Sequence, residues 1–82
     1  MSLQTFHERL QYLRVRRGLT QEDLASRTQF HLGTIRKLEQ GARKHPRPGT
    51  LSTLASALGC TTVWLLDGEG DAPAFEVSGG DL

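Results

Sequence analysis

The sequence predicts an all-α domain of five short helices, and three kinds of signal point to it. Two capping-box pairs, Thr5 with Glu8 and Thr20 with Asp23, mark helix starts, because each hydroxyl and each carboxylate can accept a backbone amide at a helix N-terminus. Apolar residues then recur at spacings of three and four, which places them on one face of a helix. Glycines follow these runs, where a left-handed residue can end a helix.

The first helix is predicted to begin after Thr5 and to end at Gly18. Its apolar stripe, which should face the core, consists of Phe6, Leu10 and Leu13. The side chains expected to face water are Arg9, Gln11 and Arg16.

Residues 19–41 predict two further short helices with a tight break at residues 29–31. Leu24 faces inward in the first of the pair, and Ile35 and Leu38 form the inward stripe of the second. The side chains expected to point away from that stripe are Arg36, Lys37 and Gln40.

The fourth helix is predicted to run from Pro48, whose missing amide does no harm at a first position, to a stop at Gly59. Its inward stripe consists of Leu51, Leu54, Ala55 and Leu58. A short fifth helix, capped by Thr61 or Thr62, should extend through Asp67. The fourth helix is interpreted as core scaffold. Trp64 of the fifth is expected to be a core or interface residue, and the apolar surface of that helix could also serve a dimer.

Charge is divided unevenly along the 82 residues. Residues 1–67 hold all ten Lys and Arg against five acids, a charge of +5, whereas residues 68–82 hold four acids and no base, a charge of −4. We therefore expect one domain at residues 1–68 and a flexible, Gly-rich acidic tail at residues 69–82. A basic body suggests a polyanionic partner, although +5 is also compatible with ordinary solubility charge.

Several classes of function lack their signals. The single cysteine excludes an intrachain disulfide, and Cys60 is expected to be a buried, unreactive thiol. His7, His31 and His45 lack metal-site spacing, so no metal or cofactor is predicted. No apolar run is long enough to span a membrane. No set of nucleophile, base and orienting residue suggests an enzyme acting on a small-molecule substrate.

Two short amphipathic helices joined by a tight turn form a helix-turn-helix, whose second helix can enter the major groove of DNA. The sequence resembles the phage repressor and Cro (XRE) family over about residues 6–68. The matching blocks, in the family's order and spacing, are LTQEDLA at 19–25, TI at 34–35, LEQG at 38–41, TL at 50–51, LASALG at 54–59 and WLLDG at 64–68. The resemblance implies a compact lambda-repressor-like fold. It also implies a cytoplasmic protein that is encoded by a bacterium or by a phage.

The resemblance also assigns roles to individual residues. Gln21 matches the family's phosphate-clamping glutamine, at a helix N-terminus where free amides and the helix dipole favour an anion. Arg14 and Glu39 are expected to form an ion pair that ties the first helix to the third. The other expected phosphate contacts are Gln40, Arg43 and Lys44, with Arg16 or Arg17 as possible additions. The residues expected to read bases, by their position on the third helix (32–40), are His31, Leu32, Gly33, Arg36 and Lys37.

Five positions depart from the family pattern. Gln29 stands where a glycine usually adopts the left-handed conformation, so strain or a modified turn is expected. Thr28 replaces an apolar residue on the packing face, and His31 is a poorer helix cap than the usual Ser or Thr. Leu32 and Gly33 lack the polar side chains that relatives use on bases.

The leading interpretation is a sequence-specific transcription regulator that binds a palindromic operator in double-stranded DNA as a homodimer, with half-sites about 34 Å apart. Arg36 and Lys37 could instead contact only phosphates. The alternative function is a protein-interaction module on the same fold, adaptor or antitoxin-like, which Leu32, Gly33 and the acidic tail favour. Within the tail, residues 74–77 could form a short strand across a dimer or a docking peptide instead of being disordered.

Overall fold

Five helices joined by short turns make up the computed structural model, which describes residues 3–43 and 45–73. The helices are α1 Phe6–Arg16, α2 Gln21–Thr28, α3 Leu32–Glu39, α4 Pro48–Leu58 and α5 Thr62–Asp67. No strand occurs in the described residues. The predicted all-α, five-helix fold is confirmed. Lys44 and the possible strand at residues 74–77 lie outside the described residues.

Threonine caps begin three of the helices. Thr5 and Thr20 each accept the amide of the residue three positions later, and the carboxylates of Glu8 and Asp23 accept the amides of these two threonines. Both predicted capping boxes are therefore confirmed. For α5 the sequence left two candidates open, and the structure selects Thr61, whose hydroxyl accepts the Trp64 amide at 3.0 Å.

Left-handed glycines end α1 and α3 as predicted. After α3, the Gly41 amide donates to the Leu38 carbonyl at 3.3 Å and the Ala42 amide donates to the Lys37 carbonyl at 3.1 Å, which is the Schellman arrangement. Gly41 has φ +84°, and a Cβ there would lie 3.0 Å from Nδ1 of His7. Both the backbone conformation and the contact with α1 thus require glycine at the point where the chain leaves α3.

All five helices contribute to one apolar core. α1 packs against α3 and α5, α2 packs against α3 and α4, and α4 packs against α5. The predicted inward stripes of α1 to α4 are confirmed as buried. The core side chains are Phe6, Leu10, Leu13, Leu24, Ala25, Ile35, Leu38, Leu51, Leu54, Ala55, Leu58, Trp64 and Leu65.

Arg9 corrects the sequence prediction for α1. It was expected to face water, but it is only 3% exposed. Its Nε donates to the Leu65 carbonyl at 2.9 Å, and its two terminal nitrogens donate to the carbonyls of Leu66 and Leu3. The last carbonyls of a helix have no partner within that helix, and a guanidinium can satisfy several at once. Helical periodicity within α1 contains no information about this distant partner.

Cys60, at the turn between α4 and α5, is half-buried against the core rather than fully buried. Burial raises the pKa of its thiol, and the nearby Arg17 charge opposes that rise. A raised thiol pKa favours the protonated, weakly nucleophilic form at neutral pH. The expectation of an unreactive thiol therefore agrees with its surroundings.

Candidate nucleic-acid interface

The turn between α2 and α3 depends on Gln29. This residue has φ +67° and ψ +18°, and among the described residues no other non-glycine residue has a positive φ. Its side-chain amide donates to the Ser26 carbonyl at 3.3 Å, on the last turn of α2. Gln29 therefore adopts the left-handed conformation that a glycine usually supplies, as the sequence led us to expect, and a non-glycine residue does so at a cost of about 1 kcal/mol or more.

Thr28 stabilises the same turn from the inside. It is 5% exposed, yet its hydroxyl donates to the Leu24 carbonyl at 2.8 Å and accepts the Phe30 amide at 3.3 Å. A polar group on the packing face is thus satisfied by the backbone on both sides of the break. The threonine replaces an apolar residue without leaving a buried polar atom unpaired.

The outer face of α3 is open to solvent. Ile35 and Leu38 are buried beneath it. Leu32 is only partly exposed and packs against the core, so part of its side chain is unavailable to a base. The exposed residues of the helix and its caps are His31, Gly33, Thr34, Arg36, Lys37 and Gln40.

Thr34 belongs to this face and was missing from the predicted site. It is exposed and lies one turn before Lys37. The sequence prediction includes Thr34 in the TI block at residues 34–35 and gives its hydroxyl no contact. Its spacing of three from Lys37 was the signal that could have identified it.

The start of α3 lacks a side-chain cap. His31 occupies the cap position with φ −66° and ψ +146°, and its ring makes no capping hydrogen bond. The backbone carbonyl of His31 accepts the Thr34 amide at 2.9 Å. The prediction of a poor cap is confirmed. The first amides of α3 are therefore not satisfied by the His31 side chain, at the end of the helix where a DNA contact is expected.

Three elements meet at a buried carboxylate. Glu39, at the end of α3, accepts from Nε of Arg14 at 2.5 Å and from a second guanidinium nitrogen of Arg14 at 3.1 Å. The two side chains are 12% and 3% exposed for arginine and glutamate respectively. Arg14 also donates to the Leu19 carbonyl at 2.7 Å, just before α2. The predicted tie between α1 and α3 is confirmed, and its geometry is the strong two-point form of an arginine–carboxylate pair.

Gln21 joins this group. It is the first residue of α2 and is partly exposed, and its side-chain amide donates to Oε1 of Glu39 at 3.1 Å. The residue predicted to clamp a phosphate thus lies beside the end of α3. The neighbouring Asp23 forms part of the capping box, because its carboxylate accepts the Thr20 amide at 2.9 Å. The hydrogen bonds from the Thr20 backbone amide and then from the Thr20 hydroxyl lower the pKa of the Asp23 carboxyl.

Two arginines of α1, and a third that follows it, form bonds that stabilise the fold. Arg9 is buried, Arg14 pairs with Glu39, and Arg17 donates through Nε to the Leu58 carbonyl at 2.9 Å. Arg17, considered above as a phosphate contact, therefore caps the end of α4. The exposed cations among the described residues are Arg16, Arg27, Arg36, Lys37, Arg43 and Arg47.

Two of the remaining predicted phosphate contacts lie where α3 ends. Gln40 and Arg43 are exposed on either side of Gly41. Gln21 therefore lies near the end of α3, because it is bonded to Glu39 there. Arg43 lies in the loop that follows α3. This arrangement places hydrogen-bond donors and positive charge together at the end of α3, where one polyanion can meet both.

The described residues lack both a membrane-spanning helix and a cluster of metal ligands. None of the helices there combines the length and the apolar character needed to cross a membrane. No group of three or more His, Cys, Asp and Glu side chains in that part of the chain could hold a metal ion.

A protein-family model described as helix-turn-helix matches residues 10–65. The match covers more than half of the 82 residues and includes α2, the turn at Gln29, α3 and α4 in full. It thus spans the exposed face of α3 and the carboxylate group beneath it.

Proposed function

The chain belongs to the helix-turn-helix family of the XRE, Cro/C1-like type, a family of DNA-binding transcription regulators, and we propose that it is a sequence-specific regulator that inserts α3 into the major groove of its operator. The family is a DNA-binding one and not an enzymatic one. The proposal covers which residues of this chain contact DNA and which bases they distinguish.

The observation that supports this proposal most is the two-sided character of α3. Ile35 and Leu38 anchor the helix in the core, while Arg36 and Lys37 remain exposed on its other side. The major groove of B-DNA is about 12 Å wide and admits one α-helix. An anchored helix with cationic side chains on its free face meets that requirement.

Base recognition is proposed for the exposed residues of α3. Lys37 or Arg36 would donate to O6 and N7 of guanine, and the exposed part of Leu32 would contact a thymine methyl group. His31 and Gly33 lie at the start of the helix, where Gly33 offers a close approach of backbone to base edges because a Cβ there would meet nothing within 4 Å. One good two-point contact distinguishes the right base from a wrong one by about 1–3 kcal/mol.

Phosphate binding is proposed on both sides of that helix. Gln21 and the free amides at the start of α2 would contact one phosphate. On the other side the proposed contacts are Gln40, Arg43 and Lys44. Each phosphate neutralised by a cation should contribute about −0.9 to the slope of log affinity against log salt concentration.

A homodimer on a palindromic operator is the final part of the proposal. Each monomer offers one α3, and a short operator half-site gives limited specificity by itself. Two copies related by a twofold axis would read half-sites about 34 Å apart, one turn of the duplex.

Selection of bound duplexes from a random pool, followed by a salt titration, tests the function. We expect an enriched palindromic sequence and a steep loss of affinity with salt. A flat salt dependence and no enriched sequence would contradict DNA binding by this chain and would favour the protein-interaction alternative.

A further inference from the structure

The carboxylate of Glu39 lies beneath the proposed interface and contacts two other elements. It is 3% exposed at its side chain, and one oxygen, Oε1, accepts both from Arg14 and from the Gln21 amide, each at 3.1 Å. The ion pair with Arg14 explains why the carboxylate can be buried. A carboxylate has about four lone-pair sites, so Oε1 can also accept from Gln21, and this second contact joins Glu39 to α2.

We propose that Glu39 is a positioning residue for DNA binding, which holds the side-chain amide of Gln21 in place for a phosphate. This inference rests on the proposed function. It deepens that function by connecting a phosphate contact at the start of α2 to the end of the recognition helix.

The chemistry of the amide supports the assignment. A primary amide has two N–H donors, and Glu39 accepts one of them, so a second donor is available for a phosphate oxygen. A glutamine side chain that is not held has three rotatable bonds to order before it can bind, which costs affinity. Glu39 is buried and is itself fixed by two bonds to Arg14, so it can hold the amide in one orientation before DNA arrives.

This contact also makes the phosphate anchor and the recognition helix move as one unit. Gln21 begins α2 and Glu39 ends α3, eighteen residues later. A phosphate bound by Gln21 would therefore set the depth of α3 in the groove. Position on the backbone and reading of bases would be coupled by one hydrogen bond.

Duplex affinity measured across a range of salt concentrations tests this inference. Gln21→Ala and Glu39→Leu should each lower the affinity about tenfold, the scale of one hydrogen bond to a charged group. Because the Gln21 amide is neutral and releases no counterion, we expect the loss in Gln21→Ala to be the same at every salt concentration, with an unchanged slope. Glu39→Leu and Glu39→Gln remove the same negative charge, so a comparison of these two variants cancels the effect of that charge. The double variant should be no weaker than either single one, since both remove the same contact.

Glu39→Gln separates positioning from stability. It loses the ion pair as Glu39→Leu does, but it retains an oxygen at the position of Oε1 that can accept from Gln21. We expect it to recover most of the affinity lost in Glu39→Leu. Leu58→Ala, a core change in α4 away from these contacts, reports what lost stability alone does to affinity. Circular dichroism at the titration temperature should show each variant folded.

A second measurement needs no variant that could fail to fold. In the NMR spectrum of the unchanged protein, the side-chain amide of Gln21 should be rigid and slow to exchange. The exposed Gln11 of α1 provides the flexible reference. An amide of Gln21 as mobile as that of Gln11 would overturn the inference.

The affinity data distinguish this inference from the proposed function. If the unchanged protein binds duplex with a steep salt slope but the two single losses add, or Glu39→Gln binds no better than Glu39→Leu, positioning by Glu39 is wrong. If the unchanged protein binds no duplex, the proposed function is wrong and the inference with it.

Discussion

The backbone conformation of one residue, Gln29, is central to the geometry of the candidate site. Its left-handed backbone directs the chain from α2 into α3. Left-handed conformations are unfavourable for residues with a Cβ, and here the surrounding helices impose one. The buried hydroxyl of Thr28 compensates by bonding the backbone on both sides of the turn.

Gln29→Gly should stabilise the protein by about 1 kcal/mol, because glycine adopts this backbone conformation without strain. Thermal unfolding measures it, and a shift of about 4–8 °C per kcal/mol is expected for a domain of this size. Gln11→Gly makes the same change at an exposed position inside α1 and should destabilise by about 1 kcal/mol. A fall in the unfolding temperature of Gln29→Gly would show that its side-chain bond to Ser26 outweighs the backbone strain.

Lys37 and Arg43 are both exposed cations, but we expect them to act differently on DNA. Lys37→Ala should relax the preference at one or two operator positions by about 1–3 kcal/mol. Arg43→Ala should weaken binding to all duplexes alike and reduce the salt slope by about 0.9. Affinities for the operator, single-base variants of it and random duplex give both quantities. Equal and uniform losses from the two variants would mean that α3 does not read bases at Lys37.

At the scale of the helices, the polar links between elements complement the apolar core. Arg9 of α1 and Arg17, the residue that follows α1, donate to carbonyls at the ends of α5 and α4. Arg14 links α1 to the end of α3. The first helix and its C-cap thus hold the C-terminal ends of three other helices. For α4 and α5 the acceptors are backbone carbonyls that would otherwise lack partners, and for α3 the acceptor is the Glu39 carboxylate.

Arg9→Met should destabilise the protein by about 1–3 kcal/mol, because it leaves buried carbonyls of α5 without a donor. Methionine retains the length and apolar volume of the chain, so the loss reports the hydrogen bonds more than packing. Chemical denaturation measures the change. Arg27→Met, at an exposed position of α2, should change stability by less than about 0.5 kcal/mol. Equal effects at the two positions would contradict the structural role of Arg9.

The cap of α2 should make stability depend on pH. The bonds from Thr20 lower the pKa of Asp23 in the folded protein. The ionised carboxylate therefore stabilises the fold above the ordinary Asp pKa of about 3.9, and this contribution is lost as pH falls through the lowered folded value. The difference in unfolding free energy between the unchanged protein and Asp23→Asn measures it. That difference should be largest near neutral pH and shrink in acid, and a difference independent of pH would refute this role.

On the scale of the whole molecule, the positive charge of the body divides into two groups. Arg9, Arg14 and Arg17 are committed to carbonyls or to Glu39, whereas Arg36, Lys37 and others remain exposed. The count of +5 for residues 1–67 therefore overstates what is available to a polyanion. Under the proposed function, the exposed cations around α3 are the ones expected to contact DNA.

A dimer with two α3 helices about 34 Å apart predicts a strict dependence on half-site spacing. Inserting about five base pairs between the half-sites rotates one by half a turn of the duplex and should abolish cooperative binding, while inserting about ten should restore part of it. Gel-shift titrations on the three duplexes measure this. Equal affinity for all three would mean that the monomers bind independently.

Much of the fold and part of the site were predictable from local pattern. The stripes of Leu10 and Leu54, the caps at Thr5 and Thr20 and the exposed face around Lys37 all follow from neighbours within one turn of helix. The local pattern did not predict the bonds from Arg9 to the Leu65 carbonyl and from Arg17 to the Leu58 carbonyl, because these acceptors lie 56 and 41 residues away along the chain. Thr34 was within reach of the pattern and was overlooked.

The sequence by itself determined which segments become helices, most of their ends, and which apolar residues of α1 to α4 face inward, since these depend on short-range sterics, capping and periodicity. Only the tertiary structure decided which polar side chains serve the fold and which remain for a partner. Glu39 shows the reason most directly: its partners Arg14 and Gln21 lie on two other helices, and only packing brings the three together.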